Sequence, residues 1–164
     1  EFRRVLFRSL FGLGHAGSYA KGKGYQAYGD GQSVMSAFSS QFINAPQYHY
    51  LGWLPKTEVA IYEPNKVFKI KKINKFNEKG LSLVIIPPVL IGKPKNARTA
   101  YISYPAKNKS KNGNLALHLS NKGASQLVKV FGDEYTDEKF TGLTIKKVGY
   151  DKENDMVSFT ILNQ

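Results

Sequence analysis

Alternation of apolar and polar residues dominates the chain from residue 56 onward. Short alternating runs are separated by turn-forming clusters such as residues 77–80 (Asn-Glu-Lys-Gly). A period of two is typical of strands that bury one face. Strands at intervals of about ten residues, with no helical stripe between them, predict an antiparallel β-sandwich over residues 56–164. The predicted strands cover residues 57–62, 67–73, 81–86, 100–104, 114–120, 127–131, 143–150 and 156–162.

Residues 10–31 lack this alternation and are rich in glycine. Residues 10–15 are predicted to end a helix, with Gly12 or Gly14 as the left-handed residue that stops it. The glycines that follow predict a loop over residues 16–31.

A second helix is predicted over residues 45–53. Asn44 suits the N-cap of this helix, and Pro46 suits its first turn. His49 lies between two tyrosines on this helix, where a surface or interface position is expected rather than a metal ligand. The chain is therefore predicted to be mainly β, with a helical section ahead of the sandwich.

Residues 1–9 read Glu-Phe-Arg-Arg-Val-Leu-Phe-Arg-Ser, basic and apolar without a clear helical stripe. This segment resembles translated linker or sequencing-adapter sequence, so we expect a non-native leader that carries no information about the fold. The competing interpretation is a signal peptide, with residues 5–13 as its apolar part and residues 16–20 as its cleavage site. It leaves the spacing from His15 to Met35 unexplained.

The chain has 24 lysines and arginines against 12 acidic residues, which gives a formal charge of +12. Such an excess attracts polyanions, although lysines on strands usually form a solvated face. No pattern typical of nucleic-acid binding interleaves aromatic residues with this charge, so no nucleic-acid partner is predicted. The absence of cysteine excludes a disulfide and a thiolate zinc site. No run of eighteen apolar residues occurs, so no membrane span is predicted.

Three short motifs follow one another between residues 10 and 54. Gly12 and His15 have the G-x-x-H spacing that ends the signature H-E-x-x-H-x-x-G-x-x-H. Asp30, Ser33 and Met35 then stand in Y-G-D-x-x-S-x-M, which places the methionine 20 residues after the histidine. The third motif, N-A-P-x-x-x-x-L-G-W-L, contains Asn44, Pro46 and Trp53.

Together these motifs resemble the gametolysin-like metzincin zinc metallopeptidases, over about a quarter of the chain. The resemblance implies that residues 10–55 are the C-terminal part of a metzincin catalytic domain, followed by a β-sandwich domain over residues 56–164. His15 would be the third zinc ligand, and Met35 would form the apolar floor of the methionine turn beneath it. Structural roles in the motifs would fall to Gly12, Asp30, Ser33, Asn44, Pro46 and Trp53.

The implied parent protein is a secreted, extracellular zinc-dependent metalloendopeptidase that cleaves a protein or glycoprotein substrate with a zinc-activated water. The same alignment places the first histidine of the signature at Val5, the catalytic glutamate at Leu6 and the second histidine at Ser9. Zinc therefore belongs to the intact parent, and this chain is predicted neither to hold it tightly nor to cleave peptides. No catalytic residue is assigned.

Another metzincin feature is missing at Ala37, where some relatives place a tyrosine that assists the transition state. The alternative function is a non-catalytic basic β-sandwich module that binds anionic glycans or a cell surface. His118 is predicted to point to the polar face of a strand. The acidic cluster at residues 133–138 lacks the pattern of a calcium loop.

Overall fold

The computed structural model describes residues 10–20, 24–35, 42–94, 97–106, 112–121 and 124–163. Within these residues the fold is mainly β, with two sheets and the short helix α1 (Ala45–Tyr50). None of the helices in this part of the chain has the length and apolar character needed to cross a membrane. The strands are β1 (Ala16–Ala20), β2 (Gly24–Gln26), β3 (Val59–Ile61), β4 (Val67–Lys71), β5 (Leu83–Ile86), β6 (Thr99–Ser103), β7 (Leu115–Asn121), β8 (Ala124–Phe131), β9 (Glu134–Asp137), β10 (Leu143–Asp151) and β11 (Met156–Asn163).

The larger sheet has the strand order β2-β1-β8-β7-β6-β5-β3, and the smaller sheet has the order β4-β11-β10-β9. All eight strands predicted from the alternation are confirmed, as β3 to β8, β10 and β11. Within residues 56–164 the predicted antiparallel pairing is wrong for one pair of strands, because β3 pairs in parallel with β5. Strand β1, which lies before this range, pairs in parallel with β8. Both parallel pairs join strands that are distant in sequence, which alternation within a single strand cannot reveal.

Three strands lie where the sequence predicts none. Strands β1 and β2 fall in the predicted glycine-rich loop, and β9 falls in the acidic cluster. Small residues dominate β1, which is ordered as a strand by backbone pairing: Ala16 is the register partner of Ser125, and Ser18 is the partner of Leu127. Strand propensity is weak in such segments, so the neighbouring strand decides.

The larger sheet buries both faces. One face shares an apolar core with the smaller sheet, in which Ile102 and Leu117 pack in the same cluster as Phe159 and Ile145. The other face is covered by residues 42–54, with Ile43, Ala45 and Tyr48 in one cluster with Leu83, Ile85 and Tyr101. Strand β5 reads Leu-Val-Ile-Ile and is buried throughout, as expected for a strand covered on both sides. Residues 16–20 and residues 115–131 share this sheet, while the division of the chain at residue 55 remains a prediction.

Helix α1 begins where the sequence predicts. The Asn44 side chain accepts a hydrogen bond from Gln47 N, and Pro46 lies in the first turn. The helix ends at Tyr50 rather than at residue 53. Gly52 has a φ of +68°, a left-handed conformation that glycine adopts without strain and that often ends a helix.

A polar cluster around Asp155 links the loop after β4 to the turn between β10 and β11. Tyr104 Oη and Tyr150 Oη donate to Asp155 Oδ1 at 2.6 and 2.8 Å. Lys72 Nζ lies 2.9 Å from Asp155 Oδ2, and the Asp155 side chain is 21% exposed. Burial acts to raise the pKa of this carboxyl, but the hydrogen bonds from Tyr104, Lys72 and Tyr150 outweigh it and lower the pKa from 3.8 to about 2.

This lowered pKa predicts a loss of stability in acid. Because the folded pKa lies below the unfolded value, the carboxylate stabilises the fold fully above about pH 4, and this contribution disappears as the pH falls towards about 2. It amounts to roughly 2 kcal/mol. Urea unfolding measured along this pH range should show a smaller acid dependence for Asp155→Asn than for the unsubstituted protein. Equal slopes would mean that Asp155 titrates alike in both states.

Candidate metal centre

His15 immediately precedes β1 and is half-buried. Its backbone carbonyl accepts a hydrogen bond from Ser125 N of β8 at 3.1 Å. Its ring lies against Tyr28, with the ring centroids 4.0 Å apart and an angle of 32° between the ring planes. The Tyr28 hydroxyl lies 2.7 Å from His15 Nε2. A metal ion at that nitrogen would therefore have to displace the tyrosine.

Gly12 explains how the chain reaches His15. Leu10 and Phe11 have helical backbone, and Gly12 follows with a φ of +66°. The prediction that a left-handed glycine stops this helix is confirmed at Gly12, since Gly14 has no positive φ. The turn redirects the chain towards β1. His15 therefore lies between the turn at Gly12 and the first residue of the strand.

Met35 is buried behind the same segment. It belongs to a small apolar cluster with Leu13 and Ala16, and its backbone carbonyl accepts a hydrogen bond from Ala16 N at 3.3 Å. Ala16 directly follows His15 in the chain. The methionine therefore packs against the residues that flank the histidine, although the two lie 20 positions apart in sequence.

The turn that carries Met35 is closed by its own side chains. The carboxylate atom Asp30 Oδ1 accepts from Gln32 N at 2.8 Å, and Ser33 Oγ accepts from Met35 N at 3.0 Å. Asp30 N donates in turn to Ala16 O at 3.2 Å. Asx- and Ser-type bonds of this kind favour tight turns over strands or helices. They account for the aspartate and the serine of the second motif.

Buried hydrogen bonds join this turn to the start of α1. Asn44 Nδ2 donates to Asp30 Oδ2 at 2.7 Å and to Ser125 Oγ at 2.6 Å. Ser33 Oγ donates to Gln47 Oε1 at 2.6 Å. Gln47 Nε2 reaches back to Gly14 O at 3.4 Å, next to His15. The three sequence motifs thus meet in one polar network, which we call the motif network: Gly14, Asp30, Ser33, Asn44, Gln47, His118 and Ser125.

His118 is the member of this network that sequence reasoning misses. Its Nε2 lies 3.2 Å from Asp30 Oδ2, and the two side chains are 1% and 0% exposed. The sequence predicts that His118 points to the polar face of its strand, but it does not predict that this face is buried. Alternation correctly places the His118 side chain on the other face of the strand from Leu117 and Leu119. The turn that carries Met35 and helix α1 cover the face on which His118 lies. The sequence gives little sign that His118 is buried, because a single histidine in a strand does not indicate which segment packs over it.

Trp53 closes the third motif at the surface. Its side chain is 45% exposed. It meets Phe11 edge-on, with ring centroids 5.8 Å apart, and it lies 6.2 Å from the Tyr48 ring. Trp53 therefore packs against Phe11, one of the two helical residues that precede Gly12.

The structure does not bring the three histidines together. His49 is exposed, as predicted, and its ring lies 5.7 Å from that of Tyr101. The neighbouring protein atoms remove part of the water around the imidazole, which lowers its pKa. Across the part of the chain that the structure describes, no three acidic or histidine side chains are grouped to hold a metal ion. A catalytic zinc site takes three protein ligands, so the described residues alone do not fit zinc. Val5, Leu6, Ser9 and Ala37 lie outside the described residues.

Comparison of the chain with protein-family models, with curated proteins and with solved structures gives no match. None of the three comparisons identifies a metzincin.

Proposed function

We propose that this chain carries the C-terminal part of a gametolysin-like metzincin catalytic domain, from a secreted zinc-dependent metalloendopeptidase. The observation that supports the proposal is the motif network. Hydrogen bonds between buried side chains join Asp30 to Asn44 and Ser33 to Gln47, so residues of the second motif bond to residues of the third. Motifs that matched by chance would have no reason to be linked in this way.

The position of Met35 supports the same proposal. In the family that the motifs resemble, the methionine turn forms an apolar floor beneath the third histidine. Here Met35 is buried and bonded through its backbone to Ala16, beside His15. Gln47 bonds to the carbonyl of Gly14 on the other side of the histidine. His15 is thus held from both flanks by motif residues.

Of the eleven strands in the described residues, nine come from the region after residue 55, and β1 and β2 of the larger sheet come from residues 16–26. Two sheets share one apolar core, which supports a β-sandwich behind the catalytic part. In the intact parent, zinc would lower the pKa of a bound water and polarise the scissile carbonyl. The residues of this chain would contribute one imidazole, from His15, and the packing that holds it; the chain by itself is proposed to be inactive.

Restoring the missing ligands provides a direct test. The triple substitution Val5→His, Leu6→Glu and Ser9→His rebuilds H-E-x-x-H-x-x-G-x-x-H in the register that ends at His15. We expect the rebuilt chain to bind zinc at least about a hundredfold more tightly than the unsubstituted chain, because two imidazoles are added to that of His15 and three ligands outweigh the loss of its contact with the Tyr28 hydroxyl. Isothermal titration with zinc measures the difference.

Two controls sharpen this test. Adding His15→Ala to the triple variant should remove the gain, whereas adding His49→Ala should leave it intact. Equal zinc affinity in the triple variant and the unsubstituted chain would contradict the proposed register. Chelator-sensitive cleavage of casein by the unsubstituted chain would show that the ligands have been misplaced. Genomic sequence upstream of Leu10 offers an independent check, since the proposal expects an in-frame H-E-x-x-H there.

A second candidate function is a non-catalytic basic module that binds anionic glycans or a cell surface. The charge of +12 favours it, together with the way the charge is distributed. Seven lysines of the described residues are ion-paired with carboxylates: Lys66, Lys69, Lys71, Lys72, Lys75, Lys146 and Lys147. No such pair within the described residues involves Lys93, Arg98 or Lys139, which gather around one groove. Retention of the full chain on heparin or alginate, without retention on a neutral dextran matrix, would support this function.

A further inference from the structure

The groove that gathers these three cations lies on the larger sheet, beside the strand that follows His15. It encloses about 410 Å³ and is lined by Tyr19, Lys93, Arg98, Leu119, Lys139 and Phe140, among others. A smaller cavity of about 270 Å³ adjoins it, sharing Arg98 and Leu119 and adding Tyr25 and Gln126. We call the two cavities together the basic groove. The larger cavity alone has the volume of a small ligand site.

Aromatic rings form one wall of the basic groove. The Tyr19 ring lies 4.8 Å from that of Phe140 and 5.7 Å from that of Tyr25, measured between centroids. Lys139 Nζ sits 4.7 Å from the Tyr19 ring centroid and 5.1 Å from the Phe140 ring centroid. Cation–π contacts of this kind hold the ammonium group at the wall without neutralising it.

Hydrogen bonds to Asp137 hold the loop that carries Lys139 and Phe140 in place. Asp137, which is buried, accepts from Thr141 N at 3.0 Å and from Thr141 Oγ1 at 2.9 Å. Its backbone carbonyl accepts from Gly142 N at 2.8 Å. This wall of the groove is therefore ordered without a ligand, so ligand binding would not carry the entropy cost of ordering the loop.

Gln126 supplies an independent sign of a ligand. The residue is 8% exposed and lines the smaller cavity, yet its side-chain oxygen is buried and has no hydrogen-bond partner among the described residues. A buried acceptor without a partner costs free energy, which a hydrogen-bond donor on a ligand would recover. The basic groove thus offers unpaired cations for anionic groups and an unpaired acceptor for a hydroxyl.

We propose that the basic groove binds an acidic polysaccharide, with Arg98, Lys93 and Lys139 taking its carboxylate or sulfate groups and Gln126 taking a sugar hydroxyl. This chemistry favours a polysaccharide over a nucleic acid, because single-stranded nucleic acids stack their bases on aromatic faces and the Tyr19 face is already covered by Lys139. The proposal deepens the second candidate function and rests on it. It is independent of zinc binding and of His15.

The test is a binding titration of the full chain at one fixed low ionic strength. Four probes are used: alginate oligosaccharide, heparin oligosaccharide, neutral dextran oligosaccharide and a DNA oligonucleotide. We expect the chain to bind one or both acidic oligosaccharides and not dextran. The double variant Arg98→Gln/Lys139→Gln should bind about tenfold more weakly, because each charge-assisted hydrogen bond is lost.

A matched control separates this site from general charge attraction. Lys129→Gln/Lys152→Gln removes the same charge from two exposed lysines that do not line the groove, and should weaken binding less than about threefold. Equal losses in the two double variants would overturn the site, even if the unsubstituted chain binds. If the unsubstituted chain binds neither acidic oligosaccharide, the underlying function fails as well.

Gln126→Leu tests the role of the unpaired acceptor. We expect weaker binding of the acidic oligosaccharide, by about threefold or more, without a fall in melting temperature, since the substitution removes a polar atom that has no partner. Unchanged affinity would exclude Gln126 from the site. DNA that binds more tightly than either acidic oligosaccharide, and loses that affinity in Arg98→Gln/Lys139→Gln, would reassign the basic groove to nucleic acid.

Discussion

Asp30→Ala is expected to destabilise the protein by about 3–5 kcal/mol, because it removes the carboxylate on which the motif network converges. Asn44, Gln32 and His118 all bond to this one side chain, which is completely buried. Truncation would leave their donors without partners in an apolar setting, and each such group costs about 1–3 kcal/mol. Urea denaturation followed by far-UV circular dichroism measures the loss.

Milder variants keep this expectation testable if Asp30→Ala fails to fold. Ser125→Ala removes only the hydroxyl that accepts from Asn44, and should cost about 1 kcal/mol. Glu63→Ala removes a carboxylate from an exposed pair with Lys66, and should cost less than about 1 kcal/mol. A cost for Asp30→Ala no larger than that for Glu63→Ala would show that the motif network contributes little to stability.

Lys71→Ala is expected to have a similarly large effect, about 3–5 kcal/mol. The Lys71 side chain is fully buried, and its ammonium lies 3.0 Å from Glu58 Oε1. It also donates to the backbone carbonyls of Lys75 and Glu78 in the loop after β4. Removing Lys71 would leave the Glu58 carboxylate without its cation, since its only other bond is the one that Ser82 Oγ donates to Oε2 at 2.6 Å among the described residues. It would also remove the hydrogen bonds that hold the loop after β4.

The double variant Lys71→Met/Glu58→Gln separates the ion pair from packing. It removes both charges and keeps most of the volume, so we expect it to recover at least about 1 kcal/mol relative to Lys71→Ala. Lys66→Ala is the surface control, since that lysine pairs with Glu63 in solvent. Equal unfolding free energies for Lys71→Ala and Lys66→Ala would refute the structural role of the buried lysine.

These two residues also show the limits of sequence reasoning. Lys71 looks like an ordinary surface charge in the sequence, and the motif that contains Asp30 assigns it a structural role without indicating that it is buried. Their environments are set by segments far away in the chain: Glu58 for the lysine, and Asn44 and His118 for the aspartate. Burial of a charge requires partners, and the identity of those partners is a tertiary property.

The candidate site was more predictable than these charges, because its motifs carry local geometry. Gly12 stops a helix, Asn44 caps one and Ser33 closes a turn, and each role depends on neighbours within a few residues. The resemblance implies two further zinc ligands at Val5 and Ser9, where the sequence has no histidine. His118 was missed because its alternation identifies a face of the strand but not what covers that face.

Eight of the strands, the start of α1, a left-handed turn at Gly12 or Gly14 and the excess of positive charge follow from the sequence alone, since these features depend on short-range patterns and composition. Packing between distant segments sets the parallel pairing of β1 with β8, the bond from His118 to Asp30 beneath the turn that carries Met35, and the position of Arg98 and Lys139 around one groove. Each of these contacts joins segments far apart in the chain, and no local preference encodes such a meeting.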